Sequence, residues 1–332
     1  MKRIIIGIIA FVFGLSVTLA QTEQKSKLFS KFDIGVTLGT TGIGADISTP
    51  INEYLQVRAG FSIMPRFHYD MDFGIQVGDD PATSAEKFTK LSGLLTQLTG
   101  NPVDDHVTMV GRPYYSNFNF MVDVFPFKNN KHWHFTAGFF LGGTKVADAV
   151  NSIEYMQTLM AVNIYNVIYD KVQRGEPIIS YNGNDIYLDP AYEDKVLNYG
   201  RMGIHVGDFK DQYVLNADGT TKLDANGNPI HKPYMMEPNS NGTVSANASA
   251  NAFKPYLGFG YGGRLIKNND KYHISVDCGA MFWGGTADVV THDGVNLTKD
   301  LINIRGDVDD YVQLAKRVKV FPVLNLRVSR TF

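Results

Sequence analysis

The chain has 332 residues and sets 31 lysines and arginines against 33 aspartates and glutamates, for a formal net charge of −2. Near-neutrality gives no electrostatic case for nucleic acid, and the single cysteine, Cys278, excludes an intramolecular disulfide. After the amino-terminus there is no run of about twenty apolar residues, which excludes ordinary membrane-spanning helices.

Met1, Lys2 and Arg3 form a short basic region, residues 4–17 are apolar or small, and Thr18-Leu19-Ala20 puts small residues where a signal peptidase reads. Residues 1–20 are therefore expected to be a secretory signal peptide cleaved near Ala20. No cysteine lies near that site, so a lipid-modified amino-terminus is not expected.

Eight later segments alternate apolar with polar or small residues at the period of a β-strand. They cover residues 32–38, 43–48, 55–63, 118–124, 133–142, 253–262, 272–282 and 317–332. In the last, Val320, Pro322, Leu324, Leu326 and Val328 alternate with Lys319, Asn325, Arg327 and Ser329. About ten alternating residues is the length of a strand that crosses a bilayer. A mean hydropathy of −0.12 fits such strands, whose two faces average out. The 17 tyrosines and 21 phenylalanines suit interfacial girdles.

Short polar turns around residues 50–53, 128–131 and 267–270 join strands at one end. At the other end only the first connection, at residues 40–42, is tight, and long insertions fill 66–116, 144–251 and 284–316. The predicted fold is all-β: an eight-stranded, antiparallel, up-and-down transmembrane β-barrel over residues 31–332. Its long extracellular loops contain α-helices and a β-hairpin, and residues 21–30 form a short periplasmic lead. The expected location is the bacterial outer membrane, with outer-membrane lipid around the wall.

These strands and the terminal Phe332 resemble the small outer-membrane β-barrels of Gram-negative bacteria, with the OmpA/OmpX type as architectural relatives. Pro255-Tyr256-Leu257-Gly258-Phe259-Gly260-Tyr261-Gly262 resembles the glycine-aromatic strands of outer-membrane barrel domains from Bacteroidetes. The resemblance covers the strands alone. It implies that Phe332 is the signal read by the barrel-assembly machinery, a partner during biogenesis.

In the insertions, Ala85, Phe88, Leu91, Leu95 and Leu98 recur at helical spacing. So do Val146, Ala149, Val150, Ile153, Met156, Met160, Ile164, Val167 and Ile168, which predict one amphipathic helix of about seven turns. Asn182-Gly183 between apolar flanks predicts a hairpin over 178–188. Residues 239–251 read as a flexible linker. The stretch around Asp224 lacks the acidic spacing and late glutamate of a calcium loop, and no spacing prescribes a cofactor.

Parity turns Asp33, Asp46, Arg58, Asp123, His134, Lys254, Arg264, Asp277, Lys319 and Arg327 inward. With both signs present, they are expected to form ion pairs that plug the lumen. Arg66, His68, Asp70 and Asp72 share one parity and would line the outer rim if the third strand continued past the membrane. His-x-Asp-x-Asp supplies donors for a divalent metal or for acid–base work, against the plainer reading of a polar loop root. Asp104-Asp105-His106 is a weaker version of that pattern.

Three functions are weighed. In the first, a non-enzymatic barrel displays a folded cap that binds a ligand or protein partner through residues 145–250. The second is a lipid-modifying hydrolase or acyltransferase at the rim, with Ser62 and His68 as the imaginable pair. The third is a wider, solute-conducting porin, which would need the 178–188 hairpin in the wall.

Overall fold

A computed structural model describes residues 31–332 apart from Asn129 and Ala217, so the expected signal peptide and periplasmic lead lie outside the described residues. The chain opens with β1 (Asp33–Gly39), β2 (Gly42–Pro50) and β3 (Leu55–Ile63). It leaves this meander for β4 (Tyr69–Val77), α1 (Pro81–Thr99) and β5 (His106–Pro113), then returns as β6 (Ser116–Val124) and β7 (Trp133–Gly142). A second excursion holds β8 (Lys145–Asn151), a 3-10 turn (Ile153–Tyr155), α2 (Met156–Arg174), β9 (Ile179–Tyr181), β10 (Asn184–Ile186), α3 (Pro190–Tyr199), β11 (Met202–Tyr213), β12 (His231–Met236) and β13 (Ser245–Ser249). The chain re-enters as β14 (Phe253–Ile266) and β15 (Asn269–Phe282). It leaves again for β16 (Asp288–Thr291), β17 (Leu301–Ile302) and α4 (Asp307–Arg317), and ends in β18 (Val320–Thr331).

The closed barrel runs β1-β18-β15-β14-β7-β6-β3-β2, with every strand antiparallel to its neighbours. Val36 of β1 sits opposite Val328 of β18 on one side and Ala45 of β2 on the other, so no edge is left open. The β1–β2 turn is tied to β18: the Thr40 hydroxyl donates to the Pro322 carbonyl (3.1 Å) and accepts from the Leu324 amide (3.0 Å). Outward side chains such as Leu38, Ile47, Phe135, Leu257 and Leu324 are exposed all round the wall. A contiguous belt of this kind is the surface of a barrel that meets lipid. At the short-turn end Trp133 meets Tyr261 edge-on (4.9 Å) and Phe32 stacks on Phe332 (5.4 Å), as in an interfacial girdle.

The three excursions converge on a second sheet, ordered β12-β11-β4-β5-β8-β13-β16, with β17 paired to β11. With its helices we call this unit the head. Its core is separate from the barrel: Val77, Val107 and Met109 from the sheet, Leu91 and Leu95 from α1, Leu159 and Val162 from α2, Met202 and Ile204 from β11, and Val312 from α4. α1 starts where Asp80 accepts from the Ala82 amide (3.0 Å) ahead of Pro81, and it stops at Gly100 in the left-handed region.

Several expectations are corrected here. The seven-turn helix from residue 146 is instead a strand followed by a shorter helix. Val146, Ala149 and Val150 lie in β8, whose pairing with β5 and β13 overrides their helical spacing. Residues 239–251 are no linker, because β13 is hydrogen-bonded between β8 and β16. The third strand stops at Ile63, and Asp70 and Asp72 belong to β4 of the head. The 178–188 hairpin does form, turning through Asn182 (φ 49°) and Gly183 (φ 81°). It makes its own two-stranded sheet and does not enter the barrel wall.

Leu159, 1% exposed, tests whether the head has its own core. Leu159→Ala should destabilise the head by about 3 kcal/mol. Hydrogen exchange should speed up in α2 and β11 while β1, β2 and β3 stay protected; equal acceleration in the barrel would count against two cores.

Candidate functional site

The first candidate region is the lumen. Strand parity turns Arg58 of β3, Asp123 of β6, His134 of β7 and Asp277 of β15 inward, and all four are buried. Arg58 spans the bore: Nη2 reaches Asp123 Oδ1 and Nη1 reaches Asp277 Oδ2, each at 3.1 Å. Asp277 is also held by His134 Nε2 at 2.7 Å, and the Thr136 hydroxyl donates to Asp123 (2.7 Å). Glycine at 260 makes room for this, since a Cβ there would lie 2.3 Å from His134 Nε2. A second cluster joins Arg327 of β18 to Asp46 of β2 at 2.6 Å, with Ser48 and Ser329 as further partners. Asp33 lies nearer the short-turn end, accepting from Ser48 and Gln56 (both 3.4 Å).

Lys254 of β14 is unlike the others. It is 0% exposed, reaches only Asn117 Oδ1 (3.4 Å), lies over the Tyr115 ring (5.5 Å), and forms no ion pair among the described residues. Between the clusters is a cavity of about 30 Å³ lined by Asp46, Arg58, Ser62, Tyr256 and Asp277, with room for about two waters. Among the described residues Arg58 Nε and Ser62 Oγ have no hydrogen-bond partner, and water in that cavity would satisfy them.

Two residues of the expected lumen network are elsewhere. Arg264 lies where β14 and β15 run on toward their turn, exposed and paired with Asp270 at 2.5 Å. Lys319 precedes β18 and is exposed, its carbonyl accepting from the Trp283 amide. Parity gives the face of a strand but not the depth along it.

The outer-rim residues do not converge. Arg66 and His68 are exposed between β3 and β4, Asp70 is exposed on β4, and Asp72 accepts from the Thr108 hydroxyl (2.5 Å). Ser62 is buried in the lumen, so it is not paired with His68. Among the described residues no three or more His, Cys, Asp or Glu side chains are grouped to hold a metal. Asp224 accepts from the amides of Asn226 and Asn228 (both 2.8 Å), closing a turn. The Asp105–His106 pair does form (3.0 Å), with Tyr155 against the other ring nitrogen (3.1 Å). The Asp105 carboxylate raises the His106 imidazole above its ordinary value.

The second candidate region is the head surface. Met160, Ile164 and Val167 form an exposed stripe on α2, and Ile179, Tyr181, Ile186 and Tyr187 are exposed on and beside the β9–β10 hairpin. Helical spacing singled out the first three, but only burial separates an outward stripe from a core one.

The fold defines a closed, eight-stranded, antiparallel transmembrane β-barrel bearing a structured head. No family model and no curated protein matches the chain. Among solved structures, CarO2 of Acinetobacter baumannii is similar at 13% identity, covering 91% of this chain and 98% of its own, with a TM-score of 0.38. CarO of the same organism gives 14% identity, 90% and 97% coverage, and a TM-score of 0.37. Likeness at this level carries no functional argument, and the barrel stands on its own strand pairing.

Two outcomes follow. Arg58→Met leaves Asp123 and Asp277 without their shared cation, and should cost about 3–5 kcal/mol, read as a lower urea midpoint for the heat-modifiable band; an unchanged midpoint would mean the pairs contribute nothing. His106 gains a partner on folding, so its contact is complete below the unfolded value of about 6.5 and fades as pH rises through the higher folded value. An NMR titration should show that raised midpoint, and Asp105→Asn should lower it.

Proposed function

We propose that this chain is a non-enzymatic outer-membrane β-barrel whose lumen is closed by its own side chains and whose head docks a partner protein outside the cell. The observation that carries the reading is the exposure, on the head, of the apolar stripe Met160, Ile164 and Val167 and of the hairpin residues Ile179 and Tyr181. These side chains belong to the head and not to the lipid-facing wall, so the bilayer does not account for them. An exposed patch of this kind on a rigid scaffold is where a partner docks.

The orientation rests on the connections. Short turns and both ends of the barrel, β1 and β18, share one face, and the head occupies the other. In an outer-membrane barrel the short-turn face is periplasmic and the long insertions are extracellular. The signal peptide expected at residues 1–20, the outer-membrane lipid around the wall and the reading of Phe332 by the assembly machinery belong to the same proposal. The closed lumen is supported by the Arg58 and Arg327 ion pairs and by a cavity of only about 30 Å³.

Affinity capture from detergent-solubilised outer membranes tests the docking, with a tag in the exposed turn at Asp218-Gly219. A stoichiometric partner should be recovered and should be lost on Ile164→Lys with Tyr181→Lys. Recovery of the barrel alone, or capture unaffected by those changes, would sink the docking reading. In planar bilayers the protein should give no conductance steps, and regular steps would overturn the closed lumen.

A further inference from the structure

A groove of about 530 Å³ opens where barrel and head meet, and it shares no residue with the apolar stripe. Three connections build its walls: Thr144 between β7 and β8, Ala250 and Asn251 between β13 and β14, and residues 283–286 between β15 and β16. Asp288 and Lys299 close the far side. The volume is that of a small-molecule site, and junctions between packed units are where such sites recur.

The lining excludes several ligand classes. A lone carboxylate, Asp288, is too few donors for a metal. The one cation, Lys299, is bonded to Asp288 at 2.8 Å, so no unneutralised positive charge is left for an anion. Lys299 also holds the Asp288 carboxyl below its usual range, so the carboxylate is charged at neutral pH. Hydroxyls, an amide and bare backbone at Gly284 and Gly285 do not suit an acyl chain. What remains is a mixture of donors and acceptors beside one large aromatic ring.

That ring is Trp283. Its plane lies 9° from that of Phe321 at a centroid distance of 5.7 Å, and its backbone amide is bonded to the Lys319 carbonyl (3.1 Å), so the indole is held in place. Among the described residues its Nε1–H has no hydrogen-bond partner. Beside it, Gly284 turns with φ 75°, and Asn251 Nδ2 packs 2.3 Å from where a Cβ would be. Only glycine there leaves the amide in place.

We propose that this groove binds a neutral, hydroxyl-rich ligand, a saccharide unit, with Asn251 and Asp288 bonding its hydroxyls and Trp283 supplying an aromatic wall. A free saccharide and the sugar head of a surface glycolipid present the same chemistry, and the groove's place at the outer ends of β7, β14 and β15 admits either.

The chain has two tryptophans, and Trp133 sits on the outer wall at the opposite end of β7. Trp133→Phe therefore leaves Trp283 as a single fluorescent reporter. In amine-oxide micelles, which lack sugar, it would be titrated with maltose, lactose and N-acetylglucosamine. In phosphatidylethanolamine nanodiscs it would be read with and without monogalactosyl diacylglycerol. A saturable emission shift is expected with at least one probe. Gly285→Phe should abolish it, because that position opens on free space and the new ring would fill the groove without disturbing the fold. Asn251→Ala should weaken it by about tenfold, the size of one lost hydrogen bond. A response to free sugar assigns a soluble saccharide, and a response only in glycolipid nanodiscs assigns a lipid headgroup. No saturable shift in either arm, or a shift unchanged by Gly285→Phe in a variant that keeps its heat-modifiable mobility, would overturn the proposal.

Discussion

Closing eight strands into a ring leaves a bore about one side chain deep, and strand parity sends charged residues into it. Everything inside the wall depends on how those charges are matched. Arg58 does most of the matching, because one guanidinium reaches both Asp123 on β6 and Asp277 on β15 from β3. Its planar fork suits two carboxylates at once, which the point charge of a lysine would not. Arg327 and Asp46 repeat the arrangement on the β18 and β2 side, next to the seam where the barrel closes. The seam is thus fixed twice, by backbone pairing through the wall and by an ion pair within it.

Above the wall a different constraint operates. Strands that leave a barrel carry unpaired backbone groups into water, and an insertion of disconnected loops would leave them unpaired. The head avoids this by pairing pieces of different excursions: β5 with β8, β11 with β4, and β13 with β16. Helices α1 and α2 then cover an apolar sheet face, giving a soluble-type core above a membrane-type wall.

The wall was legible in the sequence because its period is strict and its outward residues are uniformly apolar. The head was not, and particular residues show why. Val146, Ala149, Val150 and Ile153 satisfy helical spacing by coincidence, and only the partners supplied by β5 and β13 make the first three a strand. The small, polar residues of β13 have the composition of a linker, yet they lie in the middle of a sheet. Asp70 and Asp72 share the parity of β3 and would line the rim only if that strand ran on; it stops at Ile63, just before Pro65, and they belong to β4 of another sheet. For the lumen, parity placed Arg58, Asp123, His134 and Asp277 on the right face but said nothing of where Arg264 and Lys319 fall along the bore. The groove at Trp283 had no sequence signal, since its walls come from three distant connections.

The three excursions cross between barrel and head twice apiece, at separate points around the rim. A unit held on one pair of connections could swing like a door, whereas one held on three pairs has no free hinge axis. Force applied to the head is therefore delivered to the wall as a whole. A single backbone nick, for instance at the Asn182-Gly183 turn, would leave both halves of the cut chain anchored.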